Sequence, residues 1–280
     1  MDFQISNRMR GMKPSVIREI LKQMSDPELI SFAGGNPAAD SFPAKEIAQF
    51  SAEMLEQDPV GVLQYSVTEG VPAAREAVRK FANRHYSVVK ANDDLILVSG
   101  SQQILDFVTK CLCNEGDVVA VENPAFLGAF LSFRCYGTKL VGVSMEEDGV
   151  NLEELEKVFA AEPKPRFFYC IPNFQNPTGR TMSEAKRKAV YALSVKYGVP
   201  VLEDDPYGEL RIAGQAIAPI KSLDETGNVI YAASFSKIMC PGMRLAYCVC
   251  DKTLMKSLVI AKQGSDVHTN VWSQRICAEL

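Results

Sequence analysis

Histidine is scarce in this chain: His85 and His268 are the only two, and no G-x-S-x-G segment accompanies them. That argues against a His-rich metal site and weakens a Ser-His-Asp reading. Long apolar runs are missing too. The longest near-apolar stretch, residues 125–133, is far short of the ~18–20 residues that cross a bilayer. The opening MDFQISNRMRGMK carries charges with no apolar block behind them. No secretory signal is read there, and the expected setting is cytoplasmic, with no membrane partner. Neither sign of charge dominates: 30 Lys and Arg against 34 Asp and Glu give a net charge of −4, which offers no general pull on nucleic acid. The first 24 residues are locally basic, and a solvated helix face accounts for that. Eight cysteines lie scattered through runs such as FFYCI and LAYCVC, and neither C-x-C pair has a partner at zinc-site spacing. Buried reduced thiols are expected, and no metal.

What is present is an ordinary globular composition, 47% hydrophobic and 23% charged over 280 residues. That suits one large domain or two modest ones. Residues 14–24 read as an amphipathic helix with Pro14 near its start, 31–43 as a turn-rich loop and 44–57 as a helix. Beyond Asn92 short β-rich runs at 95–99, 117–122, 139–144, 166–171, 199–204, 229–234 and 244–250 alternate with helical patterns. The helices are expected over 102–113, 125–135, 151–161 and 183–197, and from 252 onward. Continuous apolar strands between helices mark a sheet buried on both faces, hence an α/β fold.

In such sheets ligands bind at the carboxyl ends of strands, and four strand ends stand out. Ser99-Gly100-Ser101-Gln102 opens a helix whose free amides and small hydroxyls can cradle an anion; an ordinary helix start looks the same. Pro172 to Gly179, PNFQNPTG, is an extended loop that presents amides, or a plain turn. Glu203-Asp204-Asp205-Pro206-Tyr207 puts three carboxylates at one strand end, where they repel unless a cation or protonated ring compensates. Ser234-Phe235-Ser236-Lys237 places an amine among hydroxyls, with Arg244 following; desolvation there would free the amine for Schiff-base chemistry, although a lysine after a strand is commonly a surface residue.

Together the NPTG, EDDPY and SFSK-x6-R segments resemble the fold-type I pyridoxal-phosphate aminotransferases of class I/II, in particular the 2-aminoadipate and kynurenine aminotransferase subgroup. The resemblance runs from about Ser31 to the last residue. It implies pyridoxal 5′-phosphate as cofactor, bonded to Lys237, which would also shuttle the substrate's Cα proton. Asp204 would pair with the pyridinium nitrogen, and Asn176 and Tyr207 would hydrogen-bond the ring's phenolic oxygen. Ser101, Gln102, Ser234, Ser236 and Arg244 would hold the phosphate, and Phe126 would stack on the ring unless it is a packed core residue. More softly, the resemblance implies that Tyr65 reaches a partner subunit's phosphate in a homodimer and that Gly35 closes over the substrate beside Asn176. It implies amino-group transfer from an L-amino acid to a 2-oxo acid such as 2-oxoglutarate.

Family members are longer, and the chain stops at Leu280 inside a helical pattern with no capping residue. The expectation is a chain shortened at its C-terminus, without most of the small domain or the arginine that grips the substrate carboxylate, which therefore binds amino acids poorly. The expected layout is an arm with part of a small domain over 1–45, a cofactor-binding large domain over 46–265 and the start of an interdomain helix over 266–280. Two other readings stay open: a lyase or decarboxylase on the same scaffold, and a non-catalytic effector-binding module.

Overall fold

A computed structural model describes residues 3–12 and 34–280. The helix expected over 14–24 and the start of the loop at 31–43 fall outside the described residues.

Helices α1 (Asn7–Arg10), α2 (Ala44–Gln57), α3 (Pro59–Leu63) and α4 (Pro72–Asn83) precede the alternating body. There follow β1 (Asp93–Val98), α5 (Ser101–Leu112), β2 (Val118–Asn123), α6 (Leu127–Arg134), β3 (Lys139–Glu146), β4 (Gly149–Val150), α7 (Leu152–Ala160) and β5 (Phe168–Cys170). The chain continues through α8 (Glu184–Tyr197), β6 (Val201–Asp205), α9 (Ile220–Leu223), β7 (Val229–Ser234), β8 (Ala246–Asp251), α10 (Lys252–Gln263) and α11 (Val271–Glu279). Helix ends follow local chemistry. The Ser183 side chain accepts from the Lys186 amide at the start of α8, and Gly198 closes that helix at φ 67°, a left-handed position that glycine fills without a Cβ penalty.

The eight strands form one sheet in the order β1-β8-β7-β6-β5-β2-β3-β4. Strands β3, β2, β5, β6 and β7 run parallel, whereas β8 is antiparallel to both β7 and β1, and β4 is antiparallel to β3. The sheet is therefore mostly parallel, as the apolar runs imply, with antiparallel strands at both edges.

Alternate residues of each strand supply two apolar faces. On one face Ile96, Val121, Tyr169, Leu202 and Ala246 pack with side chains of α5, α6 and α10. On the other, Ala120, Phe168 and Val201 pack with α7 and α8, while Leu97, Tyr231 and Tyr247 pack beneath α4. A smaller cluster around Met54, Val62, Met243 and Ile276 joins α2, α3 and α11. Observed ends differ from the expected ones by a few residues. The strand read at 166–171 pairs only over Phe168–Cys170. The one read from 244 starts at Ala246 because Arg244 is left-handed, with φ 51°.

Candidate active site

Successive parallel connections run in opposite directions from β2, toward β3 on one side and toward β5, β6 and β7 on the other. That reversal opens a crevice at the carboxyl ends of β2 and β5. The loop PNFQNPTG leaves β5 there, and EDDPY ends β6 beside it.

Strand alternation separates the three carboxylates of β6. Glu203 accepts from the backbone amides of Ile220 (2.9 Å) and Lys221 (2.8 Å). Asp205 accepts from Asn173 (3.0 Å), the Gly208 amide (2.9 Å) and Tyr231 Oη (2.9 Å). Asp204 points to the opposite face and is 3% exposed. Its Oδ2 accepts from Tyr169 Oη at 2.8 Å, while its buried Oδ1 meets no donor among the described residues. Burial pushes the Asp204 carboxyl up to about 7, the Tyr169 bond opposes that and the Asp205 charge adds to it. A buried acceptor left open at a strand end is a socket for a cationic or N–H donor.

Asn176 Nδ2 donates to Tyr207 Oη at 3.2 Å, joining two residues singled out by the motifs. Burial raises the Tyr207 phenol, and the Asn176 bond partly offsets this. At the end of the neighbouring parallel strand β7, Ser234 Oγ and Ser236 Oγ lie 3.0 Å apart, and Lys237 Nζ donates to the carbonyl of Gly35. Lys237 is half-buried, and desolvation lowers its pKa. Gly100, at φ 93°, lies directly against Arg244: a Cβ there would fall 2.1 Å from Arg244 Nη2. The start of α5, with the amides of Ser101 and Gln102, therefore lies next to the Arg244 guanidinium.

Those segments carry the aminotransferase pattern into three dimensions, and most of the chain matches with them: residues 27–279 fit the family described as aminotransferase class I and II. The chain belongs to that family. It is 38% identical to the aromatic-amino-acid aminotransferase 1 of Thermococcus litoralis across 97% of its own length, and 39% identical to the 2-aminoadipate transaminase of Thermus thermophilus across 96%. It spans 66% and 67% of the length of those two relatives. Among solved structures it superposes with a TM-score of 0.93 on the kynurenine aminotransferase of Pyrococcus horikoshii, crystallised with PMP, kynurenine and its product, at 36% identity over 98% of this chain and 69% of that one.

Not every residue singled out by the motifs stands in the crevice with a free side chain. Gln102 Nε2 donates to the Gly128 carbonyl (2.8 Å) and to Ser132 Oγ (2.7 Å), so its backbone amide is what it has to offer an anion. Phe126 is partly buried, packed on the core beside α6 and over Gly128. Tyr65 is 83% exposed, with its ring edge-on to His268.

Sequence reasoning passed over the residues that hold the loop. Gln175 Nε2 donates to Glu122 Oε2 (3.0 Å) and to the Pro124 carbonyl (2.8 Å), and its Oε1 accepts from the Thr178 amide and hydroxyl. Buried Arg187 donates to the Pro172 carbonyl (3.1 Å) and to Asn173 Oδ1 (2.7 Å). Burial lifts Glu122 to about 8, against its bonds from Gln175 and Ile171. The available signal was a charged residue closing the apolar run VVAVE and another inside the helix KRKAVY. Among the described residues no group of three or more His, Cys, Asp or Glu could hold a metal ion, and no helix is long and apolar enough to cross a membrane.

Proposed function

We propose that this chain binds pyridoxal 5′-phosphate at Lys237 and moves an amino group from an L-amino acid to a 2-oxo acid, with 2-oxoglutarate as acceptor. The observation that carries the reading is Asp204 Oδ1, a buried carboxylate oxygen with no donor of its own. The names of the relatives support aromatic amino acids, 2-aminoadipate and kynurenine as the donor class.

The residues fit the cofactor. Asp204 would hold a proton on the ring nitrogen, filling its open acceptor and exchanging a strained neutral acid for an ion pair. Tyr207 and Asn176 would donate to the phenolic oxygen. The backbone amides of Ser101 and Gln102, the hydroxyls of Ser101, Ser234 and Ser236, and Arg244 would hold the phosphate dianion at a helix N-terminus. When bound, pyridoxal phosphate supplies an electron sink for the charge left at the substrate Cα. Lys237 Nζ, its pKa lowered by desolvation, is free to take the Cα proton and return it. Phe126 would cover the ring, and Gly35, already within reach of Lys237, would close over the substrate with Asn176.

The reading extends to organisation. Residues 46–265 would form the cofactor-binding body, 1–45 an arm with part of a small domain, and 266–280 the start of an interdomain helix. Exposed Tyr65 would serve a partner subunit's phosphate in a cytoplasmic homodimer. The first test is a visible spectrum of the chain with added pyridoxal phosphate, followed by borohydride reduction and peptide mapping. A shifted absorption band with the label on Lys237 is expected; label spread over surface lysines would overturn the assignment.

A further inference from the structure

Lys262 lies on the face of α10 that also buries Met255 and Leu258, and none of its side chain reaches solvent. A charged amine is costly to bury unless it is paired. Its Nζ donates to both oxygens of Asp266 (2.8 and 3.0 Å) and to Gln103 Oε1 (3.1 Å). The same two acceptors hold Ser99: its amide donates to Gln103 Oε1 at 2.9 Å, and its hydroxyl to Asp266 Oδ2 at 2.6 Å. Lys262 and Ser99 are therefore joined through every polar contact of the lysine side chain. The Lys262 carbonyl also accepts from the amides of Ser265, Asp266 and Val267. Val267 sits at φ 65°, a conformation that a β-branched residue keeps only where its surroundings fix it.

Ser99 immediately precedes Gly100, which caps the start of α5 and lies against Arg244. Asp266 thus places a carboxylate one hydrogen bond from the end of β1 that leads into α5, where a dianion arriving at the helix start would be repelled. Lys262 neutralises that carboxylate and holds it in place.

We infer that Lys262 is a positioning residue for phosphate binding, which fixes Ser99 through Gln103 and Asp266 and cancels the Asp266 charge beside the start of α5. The inference rests on the cofactor reading above. A purely structural lysine would affect all ligands of the crevice alike, whereas this role is specific to the phosphate group.

The test is equilibrium binding to the full cofactor-free chain of pyridoxal phosphate and of pyridoxal, which lacks the phosphate, with inorganic phosphate as competitor. Lys262→Met is expected to weaken pyridoxal phosphate and inorganic phosphate by about tenfold, the scale of a lost charged hydrogen bond, and to leave pyridoxal within about twofold. Ser99→Ala, a smaller change, is expected to shift the same ratio in the same direction and decides the matter if Lys262→Met does not fold. An equal loss for both ligands, or no loss, would overturn the inference while leaving the cofactor reading intact. A wild-type chain that binds no pyridoxal phosphate would overturn both.

Discussion

Tyr169 and Asp204, on neighbouring strands, share a 2.8 Å hydrogen bond that is sealed from solvent. The phenol satisfies one carboxylate oxygen and leaves the other buried without a partner among the described residues. In the absence of a cation this acid is held up at about 7 by burial, well above its ordinary 3.8. Its folded state therefore keeps a proton that the unfolded chain gives up near pH 4. Stability contributed by that proton is full below pH 4 and is lost as pH rises toward and through 7, at up to ~1.4 kcal/mol per pH unit. Melting temperatures of the cofactor-free chain should fall across this window, and Asp204→Asn should flatten the slope.

The same substitution should damage function. An amide cannot stabilise a positive ring nitrogen as a carboxylate does, so Asp204→Asn is expected to lower turnover by about 10²-fold or more. Rapid-mixing measurement of each half-reaction, with circular dichroism as a check on folding, tests this. Unchanged half-reaction rates would remove Asp204 from its assigned role.

Lys237→Ala removes both the attachment point and the proton carrier. Turnover should drop by at least about 10²–10⁴-fold, the usual worth of a positioned acid–base group. Borohydride should leave no label on the peptide around position 237, as read by mass spectrometry. The fold should survive, because the amine's polar partner is the carbonyl of exposed Gly35.

Gly100→Ala meets two obstacles: a φ of 93° and a Cβ 2.1 Å from the Arg244 guanidinium. A loss of about 1–3 kcal/mol in stability is expected, together with weaker binding of pyridoxal phosphate. Chemical denaturation and a binding titration report the two effects separately.

Glu122 offers a contrast. Held at about 8 by burial, it is largely neutral at pH 7, and glutamine has nearly its shape. Glu122→Gln should cost less than ~1 kcal/mol at pH 7, whereas Glu122→Ala, which leaves the Ile171 amide and Gln175 without their acceptor, should cost about 1–3 kcal/mol. Urea unfolding of both variants gives the comparison.

Much of this site could be read from the sequence because its parts follow strand ends. VIYAAS and VLEDD announce their strands by composition, and the turn-forming NPTG announces its loop. The order of strands was not legible. Nothing in DDLILV or AYCVCD tells that Val98 pairs with Ala246, since antiparallel edges and parallel interiors here share one apolar composition. The supporting residues hid for a different reason. Glu122 and Lys262 each occupy a position that periodicity assigns to the core, and a lone charge in an apolar pattern is easily taken for a boundary. Met255, Leu258 and Lys262 fall at helical spacing on one buried face. The charge on that face was the signal, and only the network around Ser99 gives it a meaning.

The pairing of β1 with β8 also shapes how the molecule comes to exist. Among the described residues β1 has only β8 as its neighbour in the sheet, and the two are separated by some 150 residues of chain. A ribosome must therefore deliver nearly the whole body before the early strand finds its place, a long-range closure of the kind that slows folding and exposes unpaired edges to aggregation. Because Gly100 follows β1 and Arg244 precedes β8, their close approach is made only when those two strands pair. Vitamin supply and chaperone demand would then converge on a single late event in the life of each newly made chain.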